Sequence, residues 1–261
     1  MVAQLSAMTG LSNVIPTPVL GIIPARMASV RFPGKPLAIA GDRPMVIRVY
    51  EQARQVLPDV IIATGDDEIV EAAGLFGASC VKTGNHHSSG TSRCLEALEI
   101  FMTKSGKNFD AVINIQGDEP SIRPDILSML ASEIRKKGIP IATLAGRETE
   151  AEGFNNPNRV KVVIGKNGNA LYFSRSPIPF QRGPGETSLI WLSHIGIYAF
   201  KTDILKQICC LDPTDLEIVE SLEQLRWLEN GYPIRCITAE YDGFGIDTPA
   251  DLDAYNRKES L

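Results

Sequence analysis

Residues 19–37 read Val-Leu-Gly-Ile-Ile-Pro-Ala-Arg-Met-Ala-Ser-Val-Arg-Phe-Pro-Gly-Lys-Pro-Leu. The first six carry no charge and predict a buried strand over 19–24. Arg26, Ser29, Arg31 and Lys35 follow within the next eleven positions, the last beside Gly34. A buried strand that empties into a cationic, Gly-containing loop is how an α/β sheet begins a ligand site, because ligands collect outside the carboxyl ends of its strands. Backbone N–H groups in such a loop can cradle phosphate oxygens while Arg and Lys neutralise them. A solvated basic loop is the ordinary alternative, and the position at a strand end argues against it. The loop is neither Gly-x-x-x-x-Gly-Lys-Ser/Thr nor Gly-x-Gly-x-x-Gly, so ATPase and dinucleotide readings lose support.

Outward from this loop, apolar runs alternate with amphipathic segments. Strands are predicted at 60–63, 79–81 and 111–115, and helices at 45–57, 69–76, 94–102 and 126–136, with Gly77 and Gly138 as stops. The β-α-β-α rhythm predicts an α/β fold, a mostly parallel mixed sheet flanked by helices. After about Gly146 the rhythm breaks. Segments 160–164 and 170–174 flank Asn167-Gly168, the strongest hairpin signal in the chain. A Pro/Gly-rich stretch follows at 176–185, then a strand at 195–200, a helix at 216–229, a strand at 234–238 and a helix opening at Pro249 with Thr248 as its cap. A single domain over 19–261 with an inserted antiparallel excursion at about 147–192 fits this order better than two domains. Residues 1–18, rich in Ser, Thr, Asn and Pro, read as a flexible leader.

The 261 residues carry 26 Lys and Arg against 31 Asp and Glu, a net charge of −5. That balance argues against a nucleic-acid partner, which demands a basic stripe, but leaves room for a small polyphosphate. No run reaches the roughly 18 apolar residues of a membrane span, and residues 1–21 contain no Lys or Arg, so no secretory or transit signal is read there. Five cysteines, none in a Cys-x-x-Cys pair, read as reduced thiols and point to a cytoplasmic protein.

Two further strand ends are acidic. The 111–115 strand runs into Gln116-Gly117-Asp118-Glu119-Pro120, and Gly245-Ile246-Asp247-Thr248-Pro249 precedes the last helix. Asp118 is a natural Mg²⁺ ligand, since magnesium takes one or two carboxylates together with substrate phosphates. Each Asp has a plain alternative as a turn or cap residue. Two carboxylates and a cationic loop together suggest metal-assisted chemistry on a nucleoside triphosphate.

In this order the residues resemble the 3-deoxy-manno-octulosonate cytidylyltransferases (CMP-Kdo synthetases) from about Val19 to Tyr255. The resemblance rests on the quoted loop at 23–37, on Ser89-Gly90-Thr91 with Arg93, and on Asn-Ile-Gln-Gly-Asp-Glu-Pro at 114–120. It continues through Asn-Pro-Asn-x-Val-Lys-Val-Val at 156–163, Leu-Tyr-Phe-Ser-Arg-Ser-x-Ile-Pro at 171–179, His194-Ile-Gly-Ile-Tyr198, Leu-Glu-Gln-Leu-Arg at 222–226, and Gly-Ile-Asp-Thr-Pro at 245–249.

The resemblance implies a nucleotide-diphospho-sugar transferase-like fold and a homodimer paired through the inserted region. It implies transfer of CMP from CTP to the anomeric hydroxyl of Kdo with release of pyrophosphate, a step toward lipopolysaccharide. Arg26, Ser29, Arg31 and Lys35 would hold the triphosphate, and Asp118 and Asp247 would coordinate Mg²⁺. Arg26 and Lys35 would join the two aspartates as catalytic residues. Ser89, Gly90 and Thr91 would line the cytosine pocket. Gln116, Arg175 and His194 would meet the sugar carboxylate, and Tyr198, Glu223 and Gln224 the sugar hydroxyls.

Three positions depart from that family's pattern. Gly65 intervenes between Thr64 and Asp66, His86 stands where an Asp precedes His87, and Ser92 replaces an acidic residue after Thr91. Drift in a tolerant loop is the plainer reading; altered specificity, for instance toward 8-amino-8-deoxy-Kdo or another 2-keto sugar acid, is the sharper one. A non-catalytic nucleotide-binding protein of the same fold is the remaining alternative, disfavoured because binding alone does not require both aspartates. A metal site at His86-His87 is not expected, because neighbouring side chains on an extended segment point apart.

Overall fold

The computed structural model describes residues 18–29, 31–182, 190–241, 243 and 245–259. The leader expected at 1–18 lies outside them except for Pro18, as does part of the Pro/Gly-rich stretch. The elements in chain order are β1 (Val19–Pro24), β2 (Ile39–Ala40), β3 (Arg43–Pro44), α1 (Met45–Arg54), β4 (Asp59–Thr64), α2 (Asp67–Leu75), β5 (Cys80–Lys82) and α3 (Gly90–Ser105). There follow β6 (Ala111–Asn114), α4 (Pro124–Arg135), β7 (Ile141–Glu148), α5 (Ala151–Asn155), β8 (Lys161–Ile164), β9 (Ala170–Ser174) and β10 (Trp191–Lys201). The chain closes with α6 (Thr202–Ile208), α7 (Asp215–Glu220), α8 (Glu223–Glu229), β11 (Ile234–Ala239) and α9 (Pro249–Glu259).

The main sheet runs β11-β7-β10-β6-β1-β4-β5. Every neighbouring pair along it is parallel except those made by β10, which is antiparallel to both β6 and β7. The period of two along each strand divides the core. Ile23, Val60, Ile62, Ala111 and Ile113 pack on one face with Val46, Val49 and Ala53 of α1, Ile69 of α2 and Leu130 of α4. Leu20, Ile22, Ile61, Ala63 and Val112 pack on the other with Cys94 and Leu98 of α3, Leu205 of α6 and Trp227 of α8. Each such aliphatic side chain, once covered, contributes roughly 1.5–3 kcal/mol, which is why uncharged runs appear in the sequence wherever both faces are covered.

The excursion leaves the main path after Glu148 and rejoins it at Trp191, which pairs directly with Glu148. Inside it β8 and β9 form the hairpin, with Gly168 at φ 80 in the turn, and Lys161 pairs with Ser193 of β10. The hairpin is thereby an extension of the main sheet. Lys161 is fully buried there, its Nζ donating to the carbonyls of Asn156, Arg159 and Arg175 at 3.0, 2.7 and 2.6 Å.

Several expectations need correction. Helix α1 stops at Arg54 rather than 57, and α3 begins at Gly90, four residues before the first periodic apolar position, because Ser89 Oγ accepts the Ser92 N–H as an N-cap. The segment 202–208, read as no element, is α6. The single helix expected over 216–229 is two, broken where Ser221 adopts φ 51. The break is a tertiary effect: Arg175 donates from Nε to the Glu220 carbonyl at 2.7 Å and from Nη2 to the Ser221 carbonyl at 3.2 Å, so the helix end is satisfied from outside.

Candidate active site

Strands β1 and β6 lie side by side and parallel, so the loops that leave them emerge together. After β1 the chain folds back through a left-handed Gly34 (φ 75), whose N–H donates to the Met27 carbonyl at 3.0 Å. A side chain at Gly34 would be strained in that conformation. Asp66 Oδ2 accepts the Met27 N–H at 2.7 Å and pins the loop to the end of β4. From the other direction the Ile246 N–H donates to the Asp118 carbonyl at 2.8 Å, bringing residues 247 and 118 into one place although 129 positions separate them. Thr248 and Asp251 exchange hydrogen bonds at 2.8 and 3.3 Å, so Thr248 does cap α9.

The convergence centres on Lys35. Its Nζ lies 2.6 Å from Asp118 Oδ2 and 3.3 Å from Asp247 Oδ1, and Arg31 Nη2 reaches the same Asp247 oxygen at 3.0 Å. A pocket of about 430 Å³ opens over this cluster, lined also by Arg26, Ser29, His87, Ser89, Gly90, Gln116 and Gly117. Arg26 is exposed and has no ion-pair partner among the described residues. Hard carboxylate oxygens from two loops, gathered round one cation beside free guanidinium donors, fit a divalent metal together with a phosphate chain. Next to Asp118, burial pushes the Glu119 carboxyl up to about 7, despite the hydrogen bond it accepts from the Tyr241 hydroxyl at 2.6 Å.

The structure sorts the remaining candidates. Ser89 and Gly90 line the pocket, although the Ser89 hydroxyl is also the cap of α3. Thr91 turns inward instead, 4% exposed, and donates to Glu223 Oε2 at 2.7 Å, joining α3 to α8. Glu223 further accepts from Arg226 at 2.7 Å and lines a second pocket, which shares Ser88 and Ser89 with the first. Gln224 is buried beside it. Gln116 donates to the Gly196 carbonyl at 2.9 Å, which places it against the stretch of β10 that carries His194 and Tyr198.

His194 packs at a tilt against Tyr198 and meets Phe173 edge-on. Burial there drives its pKa down to about 3, so the imidazole is neutral and offers a hydrogen bond but no charge. The Tyr198 hydroxyl is buried beside Thr143 and lines neither pocket. Arg175 is not brought to this group. Its guanidinium is engaged by the carbonyls of Pro157, Glu220 and Ser221, a role no sequence spacing signals.

Sequence reasoning assigned no role to Asp66, Thr83 or Gly84. Arg93, 5% exposed, donates to Thr83 Oγ1 at 2.7 Å and to the Gly84 carbonyl at 3.2 Å. Gly65 packs closely on the exposed Asn85 side chain, which would have to swing aside for any Cβ there. The reasoning against His86-His87 also fails. The segment bends at Asn85 and Ser88 instead of running extended, and the two imidazole rings stand 4.3 Å apart.

Comparison with known proteins agrees with this geometry. A family model described as "Cytidylyltransferase" matches residues 20–237. Two relatives named 3-deoxy-manno-octulosonate cytidylyltransferase, from Bacteroides thetaiotaomicron and Phocaeicola vulgatus, are 49% and 48% identical over 240 residues, 89% of this chain and 94% of each relative. A solved structure of CMP:2-keto-3-deoxy-manno-octonic acid synthetase complexed with CTP superposes with a TM-score of 0.85 at 39% identity, covering 93% of this chain and 98% of that one.

Proposed function

The chain belongs to the 3-deoxy-manno-octulosonate cytidylyltransferase family, and from that premise we propose how its residues divide the work. The reaction joins CTP and Kdo to give CMP-Kdo and pyrophosphate. The observation that carries the assignment of roles is the meeting of Asp118 and Asp247 at the Lys35 ammonium, under a pocket edged by Arg26 and Arg31.

Arg26, Ser29, Arg31 and Lys35 hold the triphosphate and spread the negative charge that grows on pyrophosphate as it departs. Asp118 and Asp247 hold Mg²⁺, which when bound lowers the pKa of a coordinated hydroxyl and neutralises phosphate charge. Ser89 and Gly90 form the base side of the pocket. Gln116 positions the sugar beside β10, backed by the neutral His194 and by Tyr198, while Glu223 lines the adjoining pocket and the buried Gln224 stands behind it. Arg175 acts at one remove, by fixing the break between α7 and α8. Attack is then a matter of alignment, with both reactants held in line and no covalent enzyme intermediate.

The departures from the family pattern favour Kdo over its 8-amino derivative. His87 and Ser92 bond to each other, and Gly65 packs on Asn85, all on the nucleotide side. None touches Gln116, His194 or Tyr198. The exposed apolar residues Leu171, Phe180 and Ile190 all fall within the excursion, which supports pairing of two copies through it. No helix among the described residues is long and apolar enough to cross a membrane, and the five free cysteines suit a reducing cytoplasm. Pyrophosphate release with CTP and Mg²⁺ against Kdo and other 2-keto sugar acids tests the reading. Turnover with Kdo is expected; turnover restricted to the 8-amino sugar would reassign the substrate.

A further inference from the structure

The two departures at His86 and Ser92 flank one imidazole–carboxylate pair, His87 and Glu96. Glu96, one turn along α3 from Ser92, accepts the Gly84 N–H on both oxygens at 3.1 Å and contacts His87 Nε2 through Oε2. On the other side of the ring His87 Nδ1 lies 3.1 Å from Ser92 Oγ. The Ser92 hydroxyl also lies 3.1 Å from the Ser89 carbonyl, and when it donates there its oxygen accepts from His87 Nδ1. In that tautomer a neutral His87 turns the lone pair of Nε2 toward a carboxylate oxygen. Two acceptors in contact need a positive charge between them, either a proton or a metal ion.

A third donor stands at the same place. The ligand atoms of His86, His87 and Glu96 lie within 4.8 Å of one another. Tetrahedral Zn²⁺, with bonds of about 2.0–2.2 Å, would need these atoms about 3.3 Å apart. His87 and Glu96 would part slightly to admit the ion, and the exposed ring of His86 can close on it by side-chain rotation. The His87 side chain is only 6% exposed, and its far nitrogen is fixed by Ser92, as an outer partner fixes a metal-bound histidine.

We propose that His86, His87 and Glu96 form a second cation site, separate from the Asp118–Asp247 pair, that takes a divalent transition metal of the Zn²⁺, Co²⁺ or Ni²⁺ class. Two imidazoles and one carboxylate suit these ions and not Mg²⁺. Three protein ligands leave one position for water. Occupancy ties residues 84–87 to the second turn of α3 and so holds His87 in the wall of the nucleotide pocket.

The test is a Co²⁺ titration of the untagged full chain in excess Mg²⁺, followed by the visible absorption of tetrahedral Co²⁺ and by displacement with Zn²⁺. One saturating equivalent is expected, without the thiolate band that binding at Cys209 or Cys210 would give. Ser92→Ala should weaken binding about 10–100-fold, the range for an outer partner, and His86→Asn or Glu96→Gln by more than that. His86 is exposed, so His86→Asn tests the site without threatening the fold, which circular dichroism would verify. Equal affinity in wild type and His86→Asn would overturn the site. Absence of saturable binding by the wild type would also overturn it and leave a proton as the charge between His87 and Glu96.

Discussion

Replacing Asp118 by Asn separates a metal ligand from a folding residue, because the two roles predict different magnitudes. In the unliganded protein the carboxylate serves Lys35, whose side chain is 15% exposed, at 2.6 Å. A charge-assisted hydrogen bond of that kind contributes about 1.5–3 kcal/mol. The amide oxygen of Asn still accepts from Nζ, and Asp247 remains 3.3 Å away, so about half of that should survive. A loss of about 0.8–1.5 kcal/mol lowers the melting temperature by about 2–6 °C in a chain of this size. Turnover should suffer far more. Removing one of the two carboxylates that would hold a divalent ion should forfeit about 4 kcal/mol of transition-state stabilisation, a fall of about 10³-fold in kcat. Thermal unfolding, kcat and the Mg²⁺ concentration for half-maximal rate, measured on one preparation, give both numbers. A variant that keeps kcat within tenfold and leaves the Mg²⁺ dependence unchanged would refute the reasoning, as would one that unfolds outright.

Three other outcomes are expected. Glu119 has a folded pKa of about 7 against an ordinary value of 4.5, so its contribution to stability is greatest below about 4.5 and is lost as pH rises through 7, by at most about 3 kcal/mol. Urea midpoints at pH 5 and pH 8 in chelator should therefore differ less in Glu119→Gln than in wild type; identical slopes would count against it. Lys161→Met leaves the carbonyls of Asn156, Arg159 and Arg175 without their shared donor, and should cost about 3 kcal/mol by denaturant unfolding while sparing CTP affinity measured by calorimetry. If the excursion pairs two copies, Leu171→Glu with Phe180→Glu should shift sedimentation from dimer to monomer without unfolding the chain; an unchanged profile would place any dimer contact elsewhere.

Much of the fold was legible because burial writes itself into the sequence. The strand at 19–24 has no charge, since both faces of β1 are covered, and the observed bounds are those the apolar run predicts. Asn167-Gly168 announced the hairpin because only a left-handed turn residue closes two twisted strands so tightly. The helix break at Ser221 was not legible. Residues 215–229 carry no Gly or Pro, and what ends α7 is the guanidinium of Arg175, some 45 positions upstream. The contact between His87 and Glu96, only nine positions apart, was hidden for another reason: Glu96 looks like any polar position on a helix face.

For the site, the residue types were given by local chemistry. A basic loop after one strand and an acid after another suit phosphate and metal at strand ends, and that suitability is readable before any fold is drawn. Partnership was decided by tertiary structure alone. Asp247 is drawn to Asp118 by one backbone hydrogen bond between loops, Thr91 is turned from the nucleotide toward Glu223, and Arg175 is placed on helix carbonyls. Local chemistry fixes what a side chain can do; which neighbour it does it to depends on strand order and loop packing, and neither is written within reach of a single stretch of chain.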